Sequence, residues 1–303
     1  MFPNLGYLLR WLTGWNLSLP IPTFGFCMAL SFWAAYAVFT LELRRKQRLS
    51  AIPADIRIGR LMDRLLLFCG LIGFAGALLL AKLEDTYNLW HHPWQWLTRY
   101  HGLTFFGGLL FGTVTYLVIL HRRSIPLATA LDIGSPGMML AYAIGRLGCH
   151  LAGDGDWGIV SSSPKPAWLS WAPDWCWAAH YPHNAIRQGV YLPDCHVDYC
   201  SVLPEGVFPT SFYESVVCGV FFFALWTLRR RRLTVPGSLF FVYALFTGLE
   251  RFLVEFIRLT HKHAFLGFSL SQAQWIALGF LLIGLTGTGY ILTLSAKKAY
   301  FYS

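Results

Sequence analysis

Apolar residues dominate the chain in blocks of roughly 17 to 25 positions, the length an α-helix needs to cross a hydrocarbon layer of about 30 Å. The blocks run from Phe24 to Leu43, Leu65 to Ala81, Leu103 to Leu120, Leu127 to Leu147, Ser211 to Leu228, Gly237 to Ile257 and Gln272 to Leu294. Short clusters of charge separate them, and the chain holds no internal repeat or low-complexity tract. The pattern predicts an all-α polytopic membrane protein with seven transmembrane helices.

Composition sharpens the class. Of 303 residues, 55% are hydrophobic and 13% charged, against roughly 25% charged in an ordinary soluble domain, which argues against a soluble enzyme. The 24 Lys and Arg outnumber 15 Asp and Glu for a net charge of +9. Because those cations flank the spans, anionic membrane lipids are the expected partners and nucleic acid is not. Fifteen of the 24 lie between Arg44 and Arg64, at Arg122 and Arg123, at Arg229 to Arg232, and at Lys297 and Lys298. These are the loops on one side of the seven spans. That side is therefore expected to be cytoplasmic, with the N-terminus outside and the C-terminus inside.

Residues 1–23 carry Trp11, Trp15, Pro20 and Pro22 without a basic n-region or a small-residue cleavage site, and read as an interfacial arm rather than a cleaved leader. Residues 150–208, between spans four and five, are long enough to form a small external subdomain. Of seven cysteines, Cys27, Cys69 and Cys218 fall within spans, and Cys176, Cys195 and Cys200 outside, where Cys195 with Cys200 is the favoured pair. A zinc set of Cys195, His196 and Cys200 with His180 or His183 lacks the usual C-x2-C spacing. Asp154 and Asp156 alone make a poor divalent-metal site, so neither metal nor cofactor is expected.

Charged groups at membrane depth are costly and mark functional candidates. Four segments open toward the outer face: Tyr100 to Gly108, with His101, Gly102, Gly107 and Gly108; Gly145 to Gly158, with Arg146, His150, Asp154 and Asp156; Phe208 to Glu214, with Tyr213; and Glu250 to Arg258. Arg251, Glu255 and Arg258 stand at i, i+4 and i+7, one face of a continuous helix. Paired guanidinium forks suit a phosphate. Alternatively Glu250, Glu255 or Asp154 neutralises each arginine and merely ties helices together.

The ordered set resembles the prolipoprotein diacylglyceryl transferases of bacterial inner membranes. The resemblance rests on Gly102-Leu-Thr-Phe-Phe-Gly-Gly, on Asp132-Ile-x-x-Pro136-Gly137 leading into Gly145-Arg146-Leu147-Gly148, on Pro209 to Glu214, and on Arg251-Phe252-x-Val254-Glu255-Phe256-x-Arg258. It covers spans three to seven. It implies transfer of the diacylglyceryl group of phosphatidylglycerol to the lipobox cysteine of a prolipoprotein, releasing glycerol phosphate, at a periplasm-facing site. It also implies that Arg146 and Arg251 hold the lipid phosphate, that Glu255 and Arg258 match the acidic and basic positions that follow, and that Asp154 matches a family glutamate.

The chain departs from the family at Phe106, where a histidine is common, at Cys149 and Ala152 in place of two asparagines, at Phe208 in place of a histidine, and at Phe24 and Thr247 in place of tyrosines. His101, His150 and His183 are the candidates to replace the missing imidazole. The expected catalytic set is Arg146, Arg251, His101, His150, Asp154 and Glu255. The expected substrate-binding set is Gly102, Gly107, Gly108, Arg258, Asp156, Tyr213, Glu214 and His183. Two alternatives stand: a same-fold paralogue serving another acceptor, and a non-catalytic lipid-binding or assembly protein. A transporter fits less well, since paired broken helices are not evident.

Overall fold

The computed structural model describes residues 1–15, 19–84, 90–92, 94, 96, 102, 104–193, 195, 198–231, 235–260, 262–265 and 268–301. They form eight α-helices: α1 (Leu5–Thr13), α2 (Thr23–Arg48), α3 (Ile58–Glu84), α4 (Phe105–His121), α5 (Leu127–Ala152), α6 (Thr210–Arg231), α7 (Ser238–Val254) and α8 (Gln272–Phe301). Two short antiparallel hairpins pair β1 (Val190–Tyr191) with β2 (Ser201–Val202), and β3 (Lys262–Phe265) with β4 (Phe268–Ser271).

Among the described residues, five helices are long and apolar enough to cross a membrane: α2, α3, α5, α6 and α8. The other two expected spans are helices of 17 residues, α4 and α7. At 1.5 Å per residue each reaches about 25 Å. Helix α7 is shorter than its apolar run because backbone groups beyond Val254 turn out of the helix. The amides of Phe256 and Ile257 close tight i−3 bonds to Leu253 and Val254, and Ile257 then gives its carbonyl to Ile159.

The chain forms two compact units, residues 1–35 with 135–303, and residues 36–134. In the second, Leu43, Leu61, Leu65, Leu120, Ile125 and Ile133 make an apolar core, and Lys46 Nζ lies 3.3 Å from Asp132 with both side chains buried. Here α3 and α4 pack through glycine. A Cβ on Gly107 would meet the Gly76 carbonyl and lie 2.9 Å from Ala77 Cα, and one on Gly73 would lie 3.2 Å from the Gly108 carbonyl.

In the first unit, α7 packs on α6 and α8. Asn4 caps α1 by accepting from the Tyr7 amide at 3.3 Å, and Gly14 ends it with φ +73°. Bonds from Leu5 N–H to Ile21 and from Thr23 N–H to Pro3 fold the arm back on the start of α2. The segment between α5 and α6 closes over a small core of Trp157, Ala179, Tyr181, Leu203 and Val207. Fully buried Asn184 donates to the carbonyls of Tyr181, Gln188 and Ser201 at 2.9–3.3 Å, and a Cys195–Cys200 disulfide closes the β1–β2 hairpin, using both thiols of the zinc set.

Candidate active site

Three segments far apart in sequence meet in the first unit: the C-terminal end of α5, the N-terminal end of α6 and the residues at and beyond the end of α7. Glu214, near the N-terminal end of α6 and 1% exposed, is the common partner. Its Oε2 lies 2.9 Å from Arg146 Nε, and its Oε1 lies 3.1 Å from Arg251 Nη1 and 3.2 Å from Arg258 Nη1. Asp156 bridges Arg146 Nη1 and Arg258 Nη2, the latter at 2.6 Å. Glu255 lies 3.2 Å from Arg251 Nη2 and 4.0 Å from Arg258 Nε.

The local chain explains how Asp156 gets there. Helix α5 ends at Gly153 with φ +64°, and Gly155 has φ +100°, conformations that L side chains resist. These two turns send the chain back over the helix end, and the Asp154 carboxylate accepts the Asp156 amide at 3.2 Å. The Thr210 hydroxyl then donates to the Asp156 carbonyl at 3.1 Å. Gly158 pairs with Arg258 in an isolated β-bridge. A Cβ there would run into the Ile257 carbonyl and sit 2.9 Å from Thr210 Cγ2, so only glycine lets the two strands approach.

Two expectations are corrected. Arg251, Glu255 and Arg258 do not share one continuous helical face, because α7 stops at Val254; Arg258 reaches the centre from an extended segment paired with Gly158. Of the three carboxylates expected to neutralise the arginines, Glu255 does so, whereas Glu250 and Asp154 do not and Glu214 and Asp156 take their place. The Asp154 side chain is turned to the Asp156 backbone.

The centre holds three guanidinium groups against three carboxylates, yet its donors are not all used. Among the described residues, Arg146 Nη2 and Arg251 Nε make no hydrogen bond. The arginine side chains are 13–25% exposed, so the centre is partly open. Arg146 also lies over the Tyr142 ring, 5.1 Å from its centroid. Burial works against the Asp156 anion, but Arg146 and Arg258 outweigh it and hold its carboxyl below the usual range. Burial likewise disfavours the Arg258 cation, and Glu214 and Asp156 more than restore it.

The remaining expected residues fall elsewhere. His150 is buried within an aromatic cage, its ring 5.3–5.6 Å from those of Trp175, Tyr181 and Phe212 and its Nδ1 3.1 Å from the Tyr181 hydroxyl. His183 faces the Tyr199 carbonyl at 2.6 Å. Tyr213 donates its hydroxyl to the Cys176 carbonyl at 2.6 Å. Gly102 has φ +92° with open space around it, whereas Gly107 is spent on the contact with α3. His101 lies outside the described residues. Cys149, Asp154 and Asp156 each bring one ligand-type atom within 4.8 Å of the others, but the guanidinium charge on Asp156 opposes a cation there. Tyr142, Gly158 and Thr210 were not singled out from the sequence for this centre; the glycine two residues beyond Asp156 was the one available signal.

The prolipoprotein diacylglyceryl transferase family model matches residues 13–290. The chain is 29% identical over 273 residues to a phosphatidylglycerol–prolipoprotein diacylglyceryl transferase of Ralstonia pickettii, covering 84% of this chain and 86% of that one. It is 29% identical over 288 residues to the enzyme of the same name from Streptococcus sanguinis, covering 89% and 94%. A third relative of that name, from Leptospira interrogans, is 25% identical over 265 residues, covering 78% of this chain and 71% of its own.

Proposed function

The chain belongs to the prolipoprotein diacylglyceryl transferase family, and we propose that it moves the diacylglyceryl group of phosphatidylglycerol onto the lipobox cysteine of prolipoproteins at the centre of Arg146, Arg251 and Arg258. The observation that carries this reading is the convergence of three arginines on Glu214 with Arg146 Nη2 and Arg251 Nε making no hydrogen bond among the described residues. The carboxylates hold the guanidinium forks in place before substrate arrives, so little reorganisation is needed when charge develops on the departing phosphate. Arg146 and Arg251 hold the phosphodiester. Arg258 and Asp156 close one side of the centre, and Glu255 orients Arg251.

The same reading makes α4 and α7 the two short crossings of a seven-span bundle, with local thinning of the bilayer absorbing the few missing ångströms. The N-terminus is outside, and the arginine centre faces the periplasmic side of a bacterial inner membrane. The cations gathered on the opposite loops support this orientation.

The test is direct. Purified protein is incubated with phosphatidylglycerol and a lipobox peptide, and the peptide mass is followed. A diacylglyceryl adduct is expected with the parent chain and not with Arg146→Ala or Arg251→Ala. A second reading, transfer within the same family to another acceptor, is favoured by Phe106 and Cys149 at positions where relatives of this family commonly carry histidine and asparagine. No adduct on the lipobox peptide beside an active control enzyme would select it.

A further inference from the structure

Glu250 precedes Arg251 on α7 and makes none of the ion pairs of the centre. Its residue is 6% exposed, and its Oε1 is closed off from solvent without a hydrogen-bond partner among the described residues. Glu214 Oε2 and both Glu255 oxygens also lack a hydrogen-bond donor, but those two residues are ion-paired with arginine. Among the described residues of the centre Glu250 is therefore the carboxylate left with neither, an unfavourable state that a bound donor would relieve. The space for one exists: Tyr213, Glu214, Val217, Glu250, Leu253 and Ile257 line a groove of about 230 Å³ between α6 and α7.

The charges around this groove decide what fits. The groups acting on Glu250 are Glu214, Cys218 and the Arg146–Tyr142 pair from the facing helices, Arg251 from its own helix, and Arg258 beyond the helix end. Two carboxylates on the groove wall repel a phosphodiester, which belongs with the guanidinium groups. An apolar groove whose wall carries a carboxylate outside the ion pairs instead suits a neutral group with a donor hydrogen. A thiol is such a group, and at neutral pH only a few per cent of an ordinary thiol is ionised.

We propose that Glu250 is a catalytic base of the transfer, taking the proton of an acceptor thiol that lies in the α6–α7 groove; this rests on the transferase reading above. The S–H proton passes to the Glu250 carboxylate as sulfur bonds to the terminal glyceryl carbon. The bond from that carbon to the phosphate oxygen breaks, and its electron pair leaves on the glycerol phosphate held by Arg146 and Arg251. Glu250 then returns its proton to water.

Glu250→Gln and Glu250→Asp are compared with the parent chain in phospholipid nanodiscs containing phosphatidylglycerol, between about pH 6 and pH 9.5, with a lipobox peptide as acceptor. Lipidated peptide and released glycerol phosphate are both measured. Glu250→Gln is expected to lower kcat about 100-fold at neutral pH with KM for phosphatidylglycerol unchanged. Most of the rate should return above about pH 9, where a thiol of pKa near 8.5 ionises unaided, and Glu250→Asp should keep part of it throughout. Parental rates in Glu250→Gln, or an equal loss at both ends of the range, would overturn the proposal. The series is repeated with dithiothreitol as acceptor. Glycerol phosphate release with dithiothreitol but none with the peptide refutes the prolipoprotein reading, while the Glu250→Gln comparison still decides the base. No release with either thiol overturns both.

Discussion

Along α3 and α4 the backbones touch through Gly73, Gly76, Gly107 and Gly108, whereas the ends of α5, α6 and α7 are joined by three arginines and three carboxylates. Lipid offers no hydrophobic drive for helix association, so close packing of small residues or polar contacts must supply it. The two regions use one device each. The glycine seam consumes the space that makes close approach possible and leaves nothing for a ligand. The charged centre gives each carboxylate at least one arginine and still keeps unused donors and partial exposure. Lys46 and Asp132, in the same unit as the glycine seam, show the other outcome for buried charge: a pair 7% and 1% exposed, acting as a tie.

The comparison breaks most visibly if activity and stability fail to separate. Arg146→Ala and Arg251→Ala should each lower transfer by about 100- to 1,000-fold, equivalent to about 3–4 kcal/mol of lost charge stabilisation, with near-parental melting in detergent. An unfolded product in both would place the arginines with the structural ties. Gly107→Val should do the reverse. Overpacking against Gly76 and Ala77 is expected to cost about 3 kcal/mol, and any activity should fall only in proportion to folded protein recovered.

Gly158→Ala probes the link between backbone and site. The added methyl is expected to cost about 2 kcal/mol and to displace Arg258, so that activity falls further than folded yield. A smaller effect separates the two aspartates. Asp156→Ala should slow transfer at least about tenfold, since removal leaves two guanidinium groups short of a partner, while Asp154→Ala, which loses one bond to a backbone amide, should cost less.

The last prediction concerns pH. The Asp156 carboxyl is held below its unfolded value of about 3.9. Its contribution to stability is therefore present above that value and lost as pH falls through the lower folded value. Thermal unfolding followed from about pH 6 down to pH 3 should show a decline that is weaker in Asp156→Asn. An identical profile in that variant would remove Asp156 from the acid response.

Much of the centre could be read along the chain. Arg146, Arg251, Glu255, Arg258, Asp156 and Glu214 were all candidates, because charge inside an apolar block stands out. Their pairing could not be read. Helical spacing links Arg251 to Glu255, but nothing local announces that α7 ends at Val254, since the apolar run continues to Ile257; a carbonyl claimed by Ile159 ends it. His150 reads as a candidate base, and only the folded loop brings Trp175 and Tyr181 around it. Gly107 reads as backbone freedom for a ligand, and only the neighbouring helix shows that freedom in use.

The sequence by itself determined the membrane class, the helical runs and the family, because hydrophobic length and short ordered motifs are local properties that no later contact can erase. Tertiary structure alone decided that Glu214 serves three arginines 37 to 68 positions away, that Asp156 rather than Asp154 meets them, and that Glu250 is left with an unfilled oxygen. The physical reason is that a charge in a low-dielectric setting takes whichever partner the packed helix ends bring within about 3 Å, and that choice is made across the fold.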